Sequence, residues 1–397
     1  MSKEQENIKQ DQEYLLNTYA KQYLFFHKAK GSRLWNEDNQ DYIDFSSGIG
    51  VCSVGHCNDV LNQNLKEQLD SIVHTSNLYN NSLQTQLAKK IVQLSGYDMG
   101  VFFSNSGAEA NECAIKIARK FGEESQRYEI ITLESSFHGR TIATLKATGQ
   151  KKFHQHFGPF PKGFKIAKDI EHIKKLISKK TCAVMIELIQ GEGGVRSFDQ
   201  KQIQDLSRFL KKNKVLLIID EVQSGVYRSG SFLASQEYNI TPDIITLAKG
   251  LGGGIPIGAT LTNLKTIFFH GDHGSTFGGN FLAMRAGISV LSILEQEFNK
   301  GALQKNINSF KTHLDSIIKD FPNLFIETTG MGLMLGLKAL NQDIFDKVIK
   351  NSLVERVLVL KSGNNVVRFL PPLNISEEEI SEGFKRFRIA CIKVEAR

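Results

Sequence analysis

Residues 215–258 read VLLIIDEVQSGVYRSGSFLASQEYNITPDIITLAKGLGGGIPIG. Two short apolar, β-branched runs, Val215 to Ile219 and Ile244 to Leu247, are separated by a helix-compatible segment and a Pro242-Asp243 turn. That is the pattern of consecutive parallel strands in an α/β sheet. Asp220 ends the first run and Lys249 follows the second almost at once. A right-handed crossover then sets both at the carboxyl edge of neighbouring strands, where open α/β sheets bind their ligands.

Alone, an Asp or Lys at a strand end is most often a solvated turn residue. Together at that edge they suit pyridoxal 5'-phosphate, which needs a lysine amine to bond its aldehyde and an acid to keep its ring nitrogen protonated. The glycines beside Lys249 do not indicate a dinucleotide. Counted from Gly250, a G-x-G-x-x-G pattern fails at Ile255, and turn chemistry accounts for them better.

The chain has 397 residues, 41% hydrophobic and 23% charged, enough for one large or two medium domains. No apolar run reaches the length of a membrane span and the polar start MSKEQENIKQDQE lacks a signal peptide's apolar region, so a cytoplasmic protein without a membrane partner is expected. The net charge of +7 comes from scattered lysines on helix-like segments, which reads as solvated faces and not as a nucleic-acid surface. The five cysteines, Cys52, Cys57, Cys113, Cys182 and Cys391, form no CxxC pair and are expected reduced. His154 and His156, without further nearby ligands, are expected exposed, and no metal is expected.

Working outward, residues 1–30 read as an amphipathic helix, RLWNEDNQDYIDF as a hairpin, and residues 60–95 as two helices flanking HTSNLYNNS. VFFSNSGAEANECAIKIARKF reads as a strand, a polar turn and an amphipathic helix, with Ser106 and Glu109 fitting a capping box and Ala110, Ala114, Ile117, Ala118 and Phe121 forming its apolar stripe. Such a helix start offers free amides and positive partial charge to a phosphate. A strand from Glu129 to Leu133 delivers SSFHGRT, and another from Ala183 to Leu188 leads into QGEGG. A long helix from about Phe281 to Glu297 is followed by a mixture of helices and short strands, ending in a helix capped at Ser376.

The strings DEVQ and AKGLGGG, with SNSGAEANE, FHGRT, QGEGG, HGSTFGGN and RFLPPL, together resemble the class III (ω-amino) aminotransferases, within that class most nearly the acetylornithine type, over nearly the whole chain. The resemblance implies an α/β fold, the pyridoxal-phosphate transferase fold type I: a large domain with a mostly parallel sheet over residues 58–297, and a smaller α+β domain from both chain ends, 1–57 and 298–397. Lys249 and Asp220 take the catalytic roles above. Gly107 and Ala108 are implied as phosphate binders, Phe137 and Val222 as covers of the two ring faces, Gln223 as partner of the phenolic oxygen, and Glu221 as a further cofactor contact.

Arg140 is implied to bind the substrate carboxylate remote from the reacting amine. Ser275 and Thr276 are implied to come from a second copy of the chain, the latter to the phosphate and the former near the substrate, so a homodimer with shared sites is expected. Glu192 is implied to gate Arg368, pairing with it and releasing it for the α-carboxylate of 2-oxoglutarate or glutamate; a merely structural ion pair is the other reading. Ile49 stands where ornithine-specific members carry tyrosine, which fits a donor with a blocked α-amine; simple packing is its other reading. Leu188 and Phe281 replace the family's usual prolines.

The implied activity moves the terminal amine of N2-acetyl-L-ornithine to 2-oxoglutarate, giving N-acetyl-L-glutamate 5-semialdehyde and glutamate, a step of arginine biosynthesis. Succinylornithine, ornithine or 4-aminobutyrate are alternative donors. A non-catalytic binding protein on the same fold is disfavoured by the presence of Lys249, Asp220 and Arg140 together.

Overall fold

A computed structural model describes residues 3–396, with side chains from residue 5 onward. At its centre lies a seven-stranded sheet, in spatial order Gly100–Ser104, Gly258–Thr262, Ile244–Leu247, Leu216–Asp220, Thr181–Ile186, Glu129–Leu133 and Phe164–Ala167. Only Gly258–Thr262 runs antiparallel to its two neighbours; the remaining pairs are parallel. Helices cover both faces, which is why the middle strands are buried along their whole length and read as unbroken apolar runs.

The two runs that began the reading pair in parallel, with Asp220 level with Thr246. The segment between them is not a regular crossover helix. After Asp220 the chain makes tight turns, Val226 and Tyr227 adopting φ of 56° and 65°, and only Ala234–Glu237 is helical. Burial explains this: Val226, Tyr227, Phe232 and Leu233 all pack into the main core, so tertiary contacts override local helix preference.

Besides a two-stranded ladder of Ile189–Gln190 with Arg196–Ser197, two four-stranded sheets flank the large one. Phe26–Lys30, Arg33–Asn36 and Asp41–Asp44 form an antiparallel meander, to which Val357–Leu358 adds in parallel from the other end of the chain. Phe325–Met331, Met334–Ala339, Val366–Phe369 and Leu360–Ser362 form the second, wholly antiparallel sheet. A cluster of phenylalanines, Phe45, Phe310, Phe369, Phe384 and Phe387, ties both to the helices Ala302–Asp320 and Glu377–Glu395 through edge and tilted ring contacts.

Among the described residues the N-terminal helix covers Lys3–Tyr14, and the chain beyond it to Phe25 is irregular and largely exposed, so the amphipathic helix expected over residues 1–30 is corrected, residues 1–2 lying outside the described residues. Its composition carries too few apolar residues to bury a face. Ser376 caps the last helix with Glu379 in a reciprocal box, as the sequence indicated. His154 corrects another expectation: it is half-buried, with Nε2 within 2.8 Å of the Leu145 and Thr148 carbonyls at the end of helix Ile142–Ala147. All five cysteines are free thiols. No helix among the described residues is long and apolar enough to cross a membrane, and no cluster of potential metal ligands occurs among them.

Candidate active site

The carboxyl edge of the central sheet opens into a pocket of about 420 Å³. Nine of the fourteen residues singled out from sequence line it: Gly107, Ala108, Phe137, Arg140, Glu192, Asp220, Val222, Gln223 and Lys249. Lys249 begins a single tight 3-10 turn with φ of 43°, directed by the close return of the chain: a Cβ on Gly252 would lie 1.9 Å from the Ile255 carbonyl oxygen. Only glycine allows that approach.

Asp220 is 4% exposed and held on three sides. Its Oδ2 accepts from Asn111 Nδ2 at 2.7 Å and lies 2.8 Å from His138 Nδ1, while Oδ1 accepts from the Val222 amide at 3.0 Å. Asn111 is itself fixed by Thr246 Oγ1, which donates to its Oδ1 at 2.7 Å. The carboxylate thus has a fixed orientation at the pocket floor. His138 Nε2 is buried without a partner among the described residues, a polar atom left for a bound group.

Lys249 is half-buried, and desolvation of its amine in the pocket, with the neighbouring Arg368 charge, brings it down to about 8. Glu187, which sequence reasoning missed, lies in the same pocket. Burial and the Asp220 charge push its carboxyl well above the ordinary range, while it accepts the Phe137 amide at 2.8 Å. A perturbed acid beside a perturbed lysine in one concavity is the signature of a chemical site.

The helix Gly107–Gly122 aims its N-terminus at the pocket, and Ser106 caps it by accepting from the Glu109 amide at 3.2 Å. Glu109 does not close the expected reciprocal box. Its carboxylate reaches one residue further back, to the Asn105 amide at 2.5 Å, so the turn Asn105-Ser106 is fixed and the amides of Gly107 and Ala108 stay free for a ligand.

Across the pocket Arg368, 3% exposed at its side chain, pairs with Glu192 at 2.7 Å. Gln223 Oε1 accepts a second bond from Arg368 Nη1 at 3.1 Å. Arg140 is exposed, its guanidinium 4.2 Å from the Phe153 ring centre and 5.5 Å from that of Phe137, with no carboxylate against it among the described contacts. The pocket therefore offers one arginine already neutralised and one available to an anion.

Four predicted residues lie elsewhere. Glu221 is corrected: it turns away from the pocket, and its two carboxylate oxygens cap the short helix Ala234–Glu237 by accepting the Ala234 and Ser235 amides at 2.6 and 2.9 Å. Alternation explains this, because consecutive residues leaving a strand face opposite ways. Ile49 is 44% exposed within one chain with φ of 67°, and the neighbouring Val51 lines the pocket instead. Ser275 and Thr276 line an adjoining polar cleft, where Ser275 Oγ accepts from Asn105 Nδ2 at 3.1 Å. Within one chain they do not reach the pocket of Lys249.

Asn111 and His138 were also missed by sequence reading, though each left a signal. Asn111 stands four residues after Gly107 on the same helix, and His138 sits between Phe137 and Arg140 in FHGR. The residues present fit pyridoxal phosphate: a half-buried low-pKa lysine, a triply held acid, an open helix start and a buried imidazole nitrogen without a partner among the described residues.

An acetylornithine aminotransferase of Wolinella succinogenes is 57% identical over 384 residues, covering 96% of this chain and 98% of that protein. A solved N-acetylornithine aminotransferase of Stenotrophomonas maltophilia is 31% identical with a TM-score of 0.82, covering 98% of this chain and 100% of that one. An ornithine aminotransferase of Toxoplasma gondii, described with partial occupancy of PLP at its active site, is 28% identical with a TM-score of 0.92, covering 100% and 96%. The sequence profile of aminotransferase class-III matches residues 15–391, and the chain belongs to this family of pyridoxal-phosphate-dependent transaminases.

Proposed function

We propose that this enzyme transfers the terminal amine of N2-acetyl-L-ornithine to 2-oxoglutarate, releasing N-acetyl-L-glutamate 5-semialdehyde and L-glutamate in arginine biosynthesis. The observation that carries the reading is the pair of arginines about Lys249, Arg368 masked by Glu192 and Arg140 open. A donor with a single carboxylate needs one arginine, and a dicarboxylate acceptor needs two. The high identity to the Wolinella succinogenes acetylornithine aminotransferase supports the same donor.

When bound, pyridoxal 5'-phosphate supplies the electron sink that lets a proton leave the carbon bearing the amine. Gly107 and Ala108 would hold the phosphate through their amides, and Phe137 and Val222 would cover the ring. Asp220, oriented by Asn111 and His138, would keep the proton on the ring nitrogen. Lys249 Nζ takes the proton from the donor's terminal carbon and returns it. An amine titrating near 8 is matched to that work at neutral pH. Gln223 would hydrogen-bond the phenolic oxygen. Arg140 binds the donor's α-carboxylate; Glu192 then releases Arg368 to take the α-carboxylate of 2-oxoglutarate. Near the exposed Ile49 an uncharged acylamide is accepted, whereas a free α-ammonium would lose its hydration without a partner.

The active enzyme is a homodimer, in which Ser275 and Thr276 complete the site of the opposite copy. Supporting this, Leu78, Tyr79 and Phe277 are 88%, 71% and 64% exposed, and their loops are joined by Asn77 Nδ2 donating to the Ser275 carbonyl at 2.8 Å. So large an apolar display is characteristic of an association surface. Residues 58–297 act as the cofactor domain and 1–57 with 298–397 as the smaller one, a division supported by the seven-stranded sheet lying wholly within 58–297 and both four-stranded sheets wholly outside it. A cytoplasmic location suits the free thiols.

The test is the first half-reaction. Cofactor-loaded enzyme is mixed with N-acetylornithine, N-succinylornithine, ornithine or 4-aminobutyrate without 2-oxoglutarate, and the yellow absorbance of lysine-bound cofactor is followed. Fast bleaching by the acylated donors with little by ornithine is expected. Bleaching by ornithine or 4-aminobutyrate alone would overturn the donor; absence of a yellow band in the loaded protein would overturn Lys249.

A further inference from the structure

The two arginines about Lys249 are held in opposite ways. Arg368 is buried, and Glu192 meets its charge at 2.7 Å. Arg140 meets no carboxylate and makes no side-chain hydrogen bond among the described residues; its neighbours are aromatic. Its guanidinium carbon lies 4.2 Å from the ring centre of Phe153 and 5.5 Å from that of Phe137. Those two rings meet edge to face, 6.1 Å apart at 81°. Phe137 belongs to the pocket lining, and Phe153 stands outside it, half-buried, with Lys152 Nζ also 5.0 Å from its ring centre.

A short return of the chain brings Phe153 to this place. After helix Ile142–Ala147 the backbone passes so near the end of strand Glu129–Leu133 that a Cβ on Gly149 would lie 1.8 Å from the Leu133 carbonyl oxygen, an approach only glycine allows. The Gly149 amide donates to Ser136 Oγ at 3.0 Å, and Gln150 Nε2 donates to the Ser136 carbonyl at 3.2 Å. Phe153 closes the single 3-10 turn Lys151–Phe153, its amide donating to the Gln150 carbonyl at 3.0 Å. Phe137, next to Ser136, is fixed in turn by its amide donating to Glu187 at 2.8 Å. The backbone under both rings is therefore set before any ligand arrives.

An acid and an aromatic ring can each orient an arginine, but they leave different things for a ligand. A carboxylate occupies the N–H donors and cancels the charge, so an incoming anion must displace it. A ring face attracts the cation and restricts its rotamers while leaving the donors and the charge available. We propose that Phe153 is a positioning residue for substrate binding: by lying against Arg140 it holds that guanidinium ready for a substrate carboxylate without neutralising it. This rests on the assignment of Arg140 to the donor's carboxylate. It also accounts for the contrast between the arginines. The donor and the dicarboxylate acceptor both use Arg140, so it is needed in each half-reaction and stays open, whereas Arg368 is needed only for the acceptor and is masked by Glu192 in between.

The experiment compares cofactor-loaded Phe153→Leu, which keeps apolar bulk and removes the ring, with Phe153→Tyr, which keeps the ring. Two constants are read: the KM for N-acetylornithine at saturating 2-oxoglutarate, and the Kd of glutarate, an unreactive dicarboxylate, by isothermal titration. In Phe153→Leu both are expected to rise about fivefold, the share of a partly exposed cation–π contact, with kcat and the lysine-bound cofactor absorbance unchanged. Phe153→Tyr should bring both constants back to within about twofold of wild type. In the Arg140→Ala background, Phe153→Leu should have no further effect on either. A folded Phe153→Leu enzyme with KM and Kd unmoved, whatever its Tm, overturns the inference, as do equal losses in the Leu and Tyr variants. Arg140→Ala separates this from the functional reading. If it weakens both constants by about tenfold or more while Phe153→Leu does not, the inference alone fails; if it leaves both unchanged, the assignment of Arg140 fails and the inference with it.

Discussion

Substituting Glu192→Gln removes the charge that neutralises Arg368 while keeping nearly the same shape. Breaking a fully buried ion pair costs about 3–5 kcal/mol. Here Glu192 is 33% exposed at its side chain, and Arg368 retains Gln223 Oε1 at 3.1 Å and the Lys361 carbonyl at 3.4 Å. The cost is therefore set at about 2 kcal/mol, toward the lower end of what losing one partner of a charged bond exacts. With an unfolding entropy of roughly 2.1 cal/mol/K per residue, a chain of this length has about 0.8 kcal/mol/K, so Tm falls by about 2–3 °C. Calorimetry of the cofactor-loaded variant measures this. The same change has an opposite effect on ligand binding. In the wild type a dicarboxylate must displace Glu192 from Arg368; in the variant it need not, and 2-oxoglutarate should bind the pyridoxamine-phosphate form about tenfold more tightly, some 1.4 kcal/mol. Isothermal titration reads that affinity. A lowered Tm with a 2-oxoglutarate Kd unchanged within twofold would refute the gate and leave a structural ion pair.

Other consequences are equally direct. Lys249→Ala should abolish the yellow lysine-bound cofactor band and lower turnover by about 10²–10⁴-fold or more, the range lost with a positioned general base; a normal spectrum would remove Lys249 from its role. Gly107→Ala would set a Cβ 2.6 Å from Val222 Cγ1, pushing that side chain into the cofactor space, and should weaken cofactor affinity about tenfold in a spectrophotometric titration without unfolding the protein. His56 titrates at about 10, raised chiefly by Asp44, above its unfolded value near 6.5. Its contribution to stability is therefore complete below pH 6.5 and is lost as pH rises toward 10, so the Tm gap between wild type and His56→Gln, about 3 kcal/mol in free energy at pH 6, should close over that window. Leu78→Glu should shift sedimentation from dimer toward monomer and lower activity through loss of the second copy's Thr276; an active, unchanged dimer would refute this interface.

How much was legible beforehand differs from residue to residue. Asp220 and Lys249 could be located because a buried strand announces its own end: an apolar run stops, and the next polar side chain lies at the sheet edge. The strand Leu216–Asp220, the helix Gly107–Gly122 and the capped helix Glu377–Glu395 were readable for the same kind of reason, each governed by short-range periodicity and capping. Recognition of motif strings supplied Arg140, Glu192 and Arg368, since nothing in local pattern brings residues 176 positions apart together. The compact turns between Val222 and Leu233 were unreadable because their conformation follows from burial in a core assembled from distant segments.

By itself, then, the sequence determined an α/β chain with a lysine and an acid at one sheet edge and a phosphate-sized helix start beside them, because strand and helix patterns are local and repeat over a few residues. Only the tertiary structure decided that Asn111, His138 and Val222 clasp Asp220, that Glu187 shares its pocket, and that Glu221, one residue on, caps another helix. Those assignments depend on which way side chains point after elements from residues 105 to 370 have packed. The perturbed lysine has the same origin: its pKa of about 8 comes from exclusion of water and the approach of Arg368, and neither exists until the core has closed around the site.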